Sequence, residues 1–282
     1  WQEEESDSNM CITPLTLTRN YKSMDGATTN VVPCGKCHKC LRDRQNAWVF
    51  RLQQEMKISS SAAFITLTYA EPPQSFNGHQ TLEPDHLKNF WKRLRKATNR
   101  KIKYFAVGEY GTKFLRPHYH AIVYNLPQSI IQNSDKLTTH WKHGNTDIAP
   151  SNGATMRYTA GYIMQTKWQP TQDDDDRHPQ FQRQSKNLGI SYLTPQMVNY
   201  HITNKLPIIT KSGKDILKMP RYYKEKIFSK YERKQMAEEY QEINKLSLLE
   251  YTQYDYTKEV QIKLNQIRQH EKQNRENKKS TF

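Results

Sequence analysis

His118-Tyr119-His120 sets two imidazoles two residues apart inside the run Arg116 to Asn125, whose pattern reads as a β-strand. A strand repeats every two residues, so both rings project from one face and can grip one metal ion. About forty residues later, Arg157 to Lys167 reads as a short helix, with Tyr158 and Tyr162 at i and i+4 on one face. A metal clamp facing a pair of phenols suggests phosphodiester chemistry through a phosphotyrosine. Each half also has a plainer reading. Two histidines on a strand are commonly a packed or hydrogen-bonded pair, and in a chain with 17 tyrosines two at helical spacing are commonly packing.

The elements around these residues narrow the choice. Ile102 to Tyr110 is a second strand candidate directly upstream, and the loop from Gly111 to Pro117 is short enough to make the two an antiparallel hairpin. Glu109 then lies beside the histidines as an oxygen ligand. Two histidines and one carboxylate, with the remaining positions left to water and a phosphate oxygen, suit catalytic Mg²⁺ or Mn²⁺, whereas a closed zinc site uses four protein ligands. The alternative for Glu109 is a surface carboxylate flanking a turn.

Further upstream, His86 to Gly108 contains no acidic residue but eight lysines and arginines. Leu87, Phe90, Trp91 and Leu94 recur there at helical spacing, which gives an amphipathic helix with a basic outer face and a start at Glu83-Pro84-Asp85. Lys88, Lys92 and Arg95 on that face, with Arg116 at the hairpin, are the candidate DNA-binding residues. An ordinary solvated helix surface is the competing reading. Strand, helix, hairpin and helix in that order suit an α+β domain with a central antiparallel β-sheet and flanking helices, not a doubly wound one.

Phe64-Ile65-Thr66-Leu67-Thr68-Tyr69, Gly108-Glu109-Tyr110-Gly111, Arg116-Pro117-His118-Tyr119-His120 and the Tyr158/Tyr162 helix are similar in order and content to the motifs of HUH endonucleases. The pattern most resembles the rolling-circle replication initiators of gokushovirus-type microviruses, from Cys11 to Phe228, including Cys34-Gly35-Lys36-Cys37 and Pro220 to Lys226. The resemblance implies a sheet carrying the histidines and a metal-assisted nick of single-stranded origin DNA that leaves the 5′ phosphate on tyrosine and a free 3′ hydroxyl. Tyr158 and Tyr162 are then the paired nucleophiles, and Glu109, His118 and His120 the metal ligands. The second tyrosine implies a second transesterification that rejoins the displaced strand. A host polymerase and helicase are implied partners, and the host cytoplasm the implied location. The sequence departs from the family at one point. The lysine expected three residues after the second tyrosine is Gln165 here, and Lys167, the nearest catalytic candidate, lies about 140° around a helix from Tyr162.

Composition agrees with a nucleic-acid partner, since 43 Lys and Arg against 28 Asp and Glu give a formal charge of +15. No run of eighteen apolar residues and no signal-peptide pattern is present, so a soluble, intracellular protein without membrane contact is expected. The four cysteines are Cys11, Cys34, Cys37 and Cys40, the last three as C-x₂-C-x₂-C. A structural Zn²⁺ on four thiolates, an iron–sulfur cluster and free reduced thiols are the readings open here. The helix that follows is expected to place Leu41, Trp48, Leu52 and Met56 on one side. Asp173 to Asp176 reads as a solvated acidic loop, and Gly189 to Pro195 as a short strand or turn.

The chain therefore divides into residues 1–9, expected to be upstream of the fold and disordered; 10–58, a Cys-rich segment and helix; 59–223, the nuclease domain; and 224–282, a polar helical extension with a disordered end. Two other classes of function stay open: a zinc-containing DNA-binding module in which the histidines are structural, and a metallohydrolase that activates water. Neither needs the tyrosine helix. Oligomeric state and origin sequence are not legible.

Overall fold

The computed structural model describes residues 11, 14–18, 29–111, 113–162, 174–210 and 216–239. The chain divides into two units, residues 1–220 and 221–282. In chain order the first contains β1 (Leu15–Thr18), β2 (Thr29–Val32), α1 (His38–Ile58), β3 (Ala62–Thr68), α2 (Pro84–Thr98), β4 (Lys103–Tyr110) and β5 (Pro117–Tyr124). It continues with α3 (Gln128–Ile131), α4 (Asp135–Trp141), β6 (Thr146–Pro150), α5 (Gly153–Gly161), β7 (Phe181–Gln184), a 3₁₀ turn at Ile190–Tyr192, α6 (Pro195–Thr203), β8 (Ile208–Thr210) and β9 (Ile216–Lys218).

The centre is a five-stranded antiparallel sheet in the order β6-β3-β5-β4-β7. Strand β3 alternates between buried and partly buried positions along its whole length, whereas β4 and β5 are buried at almost every position. The reason is that both faces of the central strands are covered. On one face Ile65, Leu67, Tyr119, Ala121, Val123 and Ala106 pack against Leu87, Phe90, Trp91 and Leu94 of α2 and Leu137 and Trp141 of α4. On the other, Phe105, Val107, Ile122 and Tyr124 pack against Leu52 of α1 and Met156 of α5. Gly108 lets the strands close up: a Cβ there would meet the Phe181 and Tyr119 rings at 3.0 and 3.1 Å.

Helix α2 starts as the sequence suggests. The Glu83 side chain accepts from the Asp85 amide, Pro84 opens the first turn, and Asn99 ends the helix in the left-handed region at φ 48°. The buried side of α1 differs from the expected one. Val49, Phe50, Leu52 and the polar Gln45, Gln54 and Glu55 face inward, while Met56 is 41% exposed. The buried carboxylate of Glu55 is paired: Lys103 Nζ and the Gly189 amide donate to it at 2.6 and 2.8 Å. The acidic loop is exposed at Asp174 and Asp176, which accept from Asn77, while Asp175 pairs with Arg177.

The second unit contains α7 (Arg221–Ile227) and a helical run over 230–239, opened by Ser229 and Glu232, each accepting from the other's backbone amide. Among the described residues no helix is long and apolar enough to cross a membrane.

Candidate active site

The register of the sheet assembles the first cluster. Glu109 pairs directly with His118, Val107 with His120, Thr66 with His120 and Thr68 with His118. Directly opposed residues project from the same face, so the carboxylate and both imidazoles share the α1/α5 side. His118 Nε2 stands 2.6 Å and His120 Nε2 3.1 Å from one Glu109 oxygen. Each ring is held by its other nitrogen: His118 Nδ1 donates to the Arg116 carbonyl at 3.0 Å, and His120 Nδ1 is 3.0 Å from the Thr66 hydroxyl. A carbonyl only accepts, so the His118 bond fixes a proton on Nδ1 and turns Nε2 toward the cluster, the arrangement metal-binding histidines use.

Glu109 and His120 are only 6% and 8% exposed. Burial pushes the Glu109 carboxyl up, but hydrogen bonds from His118 and His120 outweigh it and hold the group below its usual range. Burial opposes a charged His118, yet the Glu109 bond raises its proton affinity on balance. One ligand atom from each residue lies within 4.8 Å of the others. Two imidazole nitrogens and a carboxylate oxygen on a half-open sheet face fit a divalent cation with positions to spare.

Helix α5 brings the tyrosines over this cluster. It is opened by a capping box between Asn152 and Thr155, and it seats Met156, Thr159 and Ala160 inward. Gln45 of α1 donates to the Arg157 carbonyl at 2.9 Å, which ties α5 to α1. Tyr158 lies one turn before Tyr162, the residue that ends the helix, and the Tyr162 hydroxyl donates to the Tyr158 oxygen. The Tyr162 ring stacks on His120 at 5.8 Å and 14°, and Tyr158 meets the same imidazole edge-on at 5.5 Å. Tyr158 is 52% exposed, whereas Tyr162 is half-buried. Burial, the bond to Tyr158 and the Glu109 charge all push the Tyr162 phenol up.

Residues 62–167, which include both clusters, match the family of ORF2-type replication-associated proteins. They form a replication-associated domain of that family. The chain is 29% identical over 235 residues to replication-associated protein ORF2 of Spiroplasma virus 4, a match spanning 77% of this chain and 72% of that protein. It is 29% identical over 199 residues to replication-associated protein ORF4 of Chlamydia phage 1, covering 62% of this chain and 49% of that one. A third match, replication-associated protein VP4 of Bdellovibrio phage phiMH2K, is 26% identical over 167 residues and spans 52% of each. The chain thus spans about half the length of the latter two. No solved structure matches the chain.

The cysteines lie outside the matched segment but come together. Cys11 and Cys37 sulfurs are 3.8 Å apart, Cys34 and Cys40 sulfurs 4.0 Å, and all four are within 4.8 Å of one another. A thiolate tetrahedron at about 2.3 Å from zinc has edges of about 3.8 Å, so the set fits a closed four-sulfur site. The Cys34 amide donates to Cys11 sulfur, and the Lys36 and Cys37 amides to Cys34 sulfur. Burial and the neighbouring thiols push the Cys40 thiol up to about 12. Cys37 is also the residue that opens α1.

The basic candidates fall elsewhere. Helix α2 packs on the sheet face opposite the histidines, so Lys88, Lys92 and Arg95 do not border the Glu109 cluster. Lys88 pairs with Asp85 at 2.5 Å, and Arg95 donates twice to the Ile102 carbonyl. Arg116 donates to the Tyr69 and Ala70 carbonyls at 2.6 and 2.9 Å, clamping the hairpin to the end of β3. Lys167 lies outside the described residues.

Sequence reasoning missed Thr66 and a cleft. Thr66 was visible as the alternate-face residue of Phe64-Ile65-Thr66. The cleft, about 290 Å³, joins Glu109 and Tyr162 to Arg44 of α1 and to Gln180, Gln182 and Gln184 at β7.

Proposed function

We propose that this chain is a phage replication initiator of the HUH type, which nicks single-stranded DNA at an origin by tyrosine transesterification. The observation that carries the reading is the meeting of three elements at one point: two histidines and a glutamate with converging Nε2 and carboxylate atoms, and two phenols resting on one of those histidines.

Glu109, His118 and His120 would hold Mg²⁺ or Mn²⁺. When bound there, the cation supplies Lewis-acid polarisation of a non-bridging phosphate oxygen. The chain's own residues do the rest. A tyrosine oxygen attacks phosphorus, the bond to the 3′ oxygen breaks, and the leaving alkoxide takes up a proton to become the 3′ hydroxyl. The 5′ phosphate stays on the enzyme as a tyrosine ester. Stacking on His120 limits how the Tyr162 ring can turn, and the bond between the hydroxyls keeps two nucleophiles beside one another, as two successive transesterifications need. The freed 3′ hydroxyl would prime a host polymerase working with a helicase in the host cytoplasm, and a later attack by a 3′ hydroxyl on the phosphotyrosine rejoins the displaced strand. The four cysteines, as a zinc site, would act through folding.

The test is to mix the full chain with labelled single-stranded DNA and Mn²⁺ and look for a covalent adduct on a denaturing gel. An adduct should form with the native chain, weaken with Tyr158→Phe or Tyr162→Phe, and vanish only in the double variant. Adduct formation unchanged in the double variant, or in excess chelator, would sink the proposal.

A further inference from the structure

We infer that Gln180, Gln182 and Gln184 form a base-reading row that gives the nick its sequence preference next to the scissile phosphate; the inference rests on the reading above that single-stranded DNA is the substrate. Among the described residues strand β7 is an edge of the sheet, paired only with β4. In that pairing Gln182 lies opposite Val107 and Gln184 opposite Phe105. Both partners belong to the apolar cluster under α1 and α5, so these two glutamines project on the histidine side, and Gln180 follows by alternation. Successive amides on such a row are about 7 Å apart. Gln182 and Gln184 are bonded to each other at 3.1 Å. The row leads along one cleft to Glu109 and Tyr162, with Arg44 also lining it.

The chemistry of the row separates reading from mere attraction. Phosphate is held by cations, and Arg44 can serve that purpose in the cleft. Arg183, by contrast, projects from the other side of β7 and lies over the Phe181 ring. Neutral amides add no charge, but each offers two donors and an acceptor in a fixed plane. Glutamine pairs bidentately with the N6/N7 edge of adenine, and the splayed bases of a single strand are read on such edges. A strand passing through the cleft can therefore set its backbone toward Arg44 and its bases over the glutamines, with the scissile phosphate at Glu109. Binding is then positioned by one residue type and specified by another.

Two selections from a random single-stranded pool test this with the full chain. One selects for binding in chelator; the other selects for covalent capture with Mn²⁺, and both are read by sequencing. The native chain should prefer an adenine at one or more consecutive positions. Gln180→Met and Gln182→Met, which keep volume and remove the amide, should each lose about tenfold discrimination at one position without lowering the melting temperature. Gln182→Glu should shift the preference at its position from adenine to cytosine, whose amino group a carboxylate accepts, and it decides the matter if the methionine variant folds poorly. Arg44→Gln should weaken all sequences alike and flatten the salt dependence. A native chain without base preference, or glutamine variants whose preference is unchanged or lost evenly across positions, overturns the inference. Absent covalent capture with a base preference that still follows Gln182 would sink the nuclease reading and leave this one standing.

Discussion

The two faces of the central sheet are built from the same strands and do different work. On the α2 side, Ile65, Tyr119, Ala106 and their neighbours make a dry aromatic and aliphatic core. On the α1/α5 side, the residues next to them in sequence are Thr66, His120 and Val107, and the packing is interrupted by a buried carboxylate and two imidazoles. Surface charge gives the opposite impression, because the dense basic run of the chain decorates the inert face. Buried polar groups that converge therefore locate chemistry here better than exposed cations do.

The largest difference should appear between neighbours on β5. His120→Ala should lower nicking by more than about a hundredfold while single-stranded DNA affinity stays within a few-fold, since the phosphate contacts that dominate affinity lie elsewhere. Activity that survives this change, measured as adduct per unit time, would erase the distinction between the faces. Tyr119→Phe tests the reverse side of the same strand. Its hydroxyl bonds Tyr69 and accepts from the Glu83 amide while donating to the Glu83 carbonyl. Losing it should destabilise the fold by about 1–3 kcal/mol in denaturant melts and leave adduct formation near native.

A smaller effect is a pH dependence arising on the α2 side. His86 and His143 are stacked at 3.8 Å, with His86 Nδ1 3.0 Å from the Tyr69 hydroxyl. Burial lowers the proton affinity of both, Arg93 adds to this, and Glu83 and Asp85 partly oppose it at His86. The folded chain then binds fewer protons than the unfolded one, so this contribution is present above the ordinary value of 6.5 and is lost as pH falls through it. The melting temperature should drop between about pH 7.5 and pH 5.5, and His86→Gln/His143→Gln should flatten the drop. An unchanged slope in the double variant would remove the pair from the account. The smallest effect belongs to Lys88→Ala/Lys92→Ala, which should alter affinity for single-stranded DNA by less than about threefold and leave its salt slope within about one unit. A larger change would mean that DNA also runs over α2.

Much of the histidine face was legible because it is encoded at short range. Strict alternation marks the hairpin, and a loop this short leaves one register in which Glu109 meets His118. The tyrosine helix was legible in its spacing but not its limits: α5 starts at Gly153, where the Asn152 and Thr155 side chains cap it. Strands β6 and β7 were not legible at all. Their sequences, Thr146 to Pro150 and Phe181 to Gln184, are polar edge segments without an apolar alternation, and only pairing with β3 and β4 makes them strands. The face on which α2 lands was equally hidden, since an amphipathic pattern says that a helix buries one side but not against which side of a sheet.

The alternation that separates the two faces also makes the hairpin intolerant of error. Slipping β5 by one residue against β4 would carry Tyr119 into the cleft and drive His118 and His120 into the aromatic layer, away from the Glu109 carboxylate and the Thr66 hydroxyl that receive them. The same slip would withdraw the Tyr119 hydroxyl from Tyr69 and Glu83. Any chain that settles its hydrophobic layer correctly has thereby aligned its ligands, so quality control of the fold and assembly of the catalytic centre are a single event.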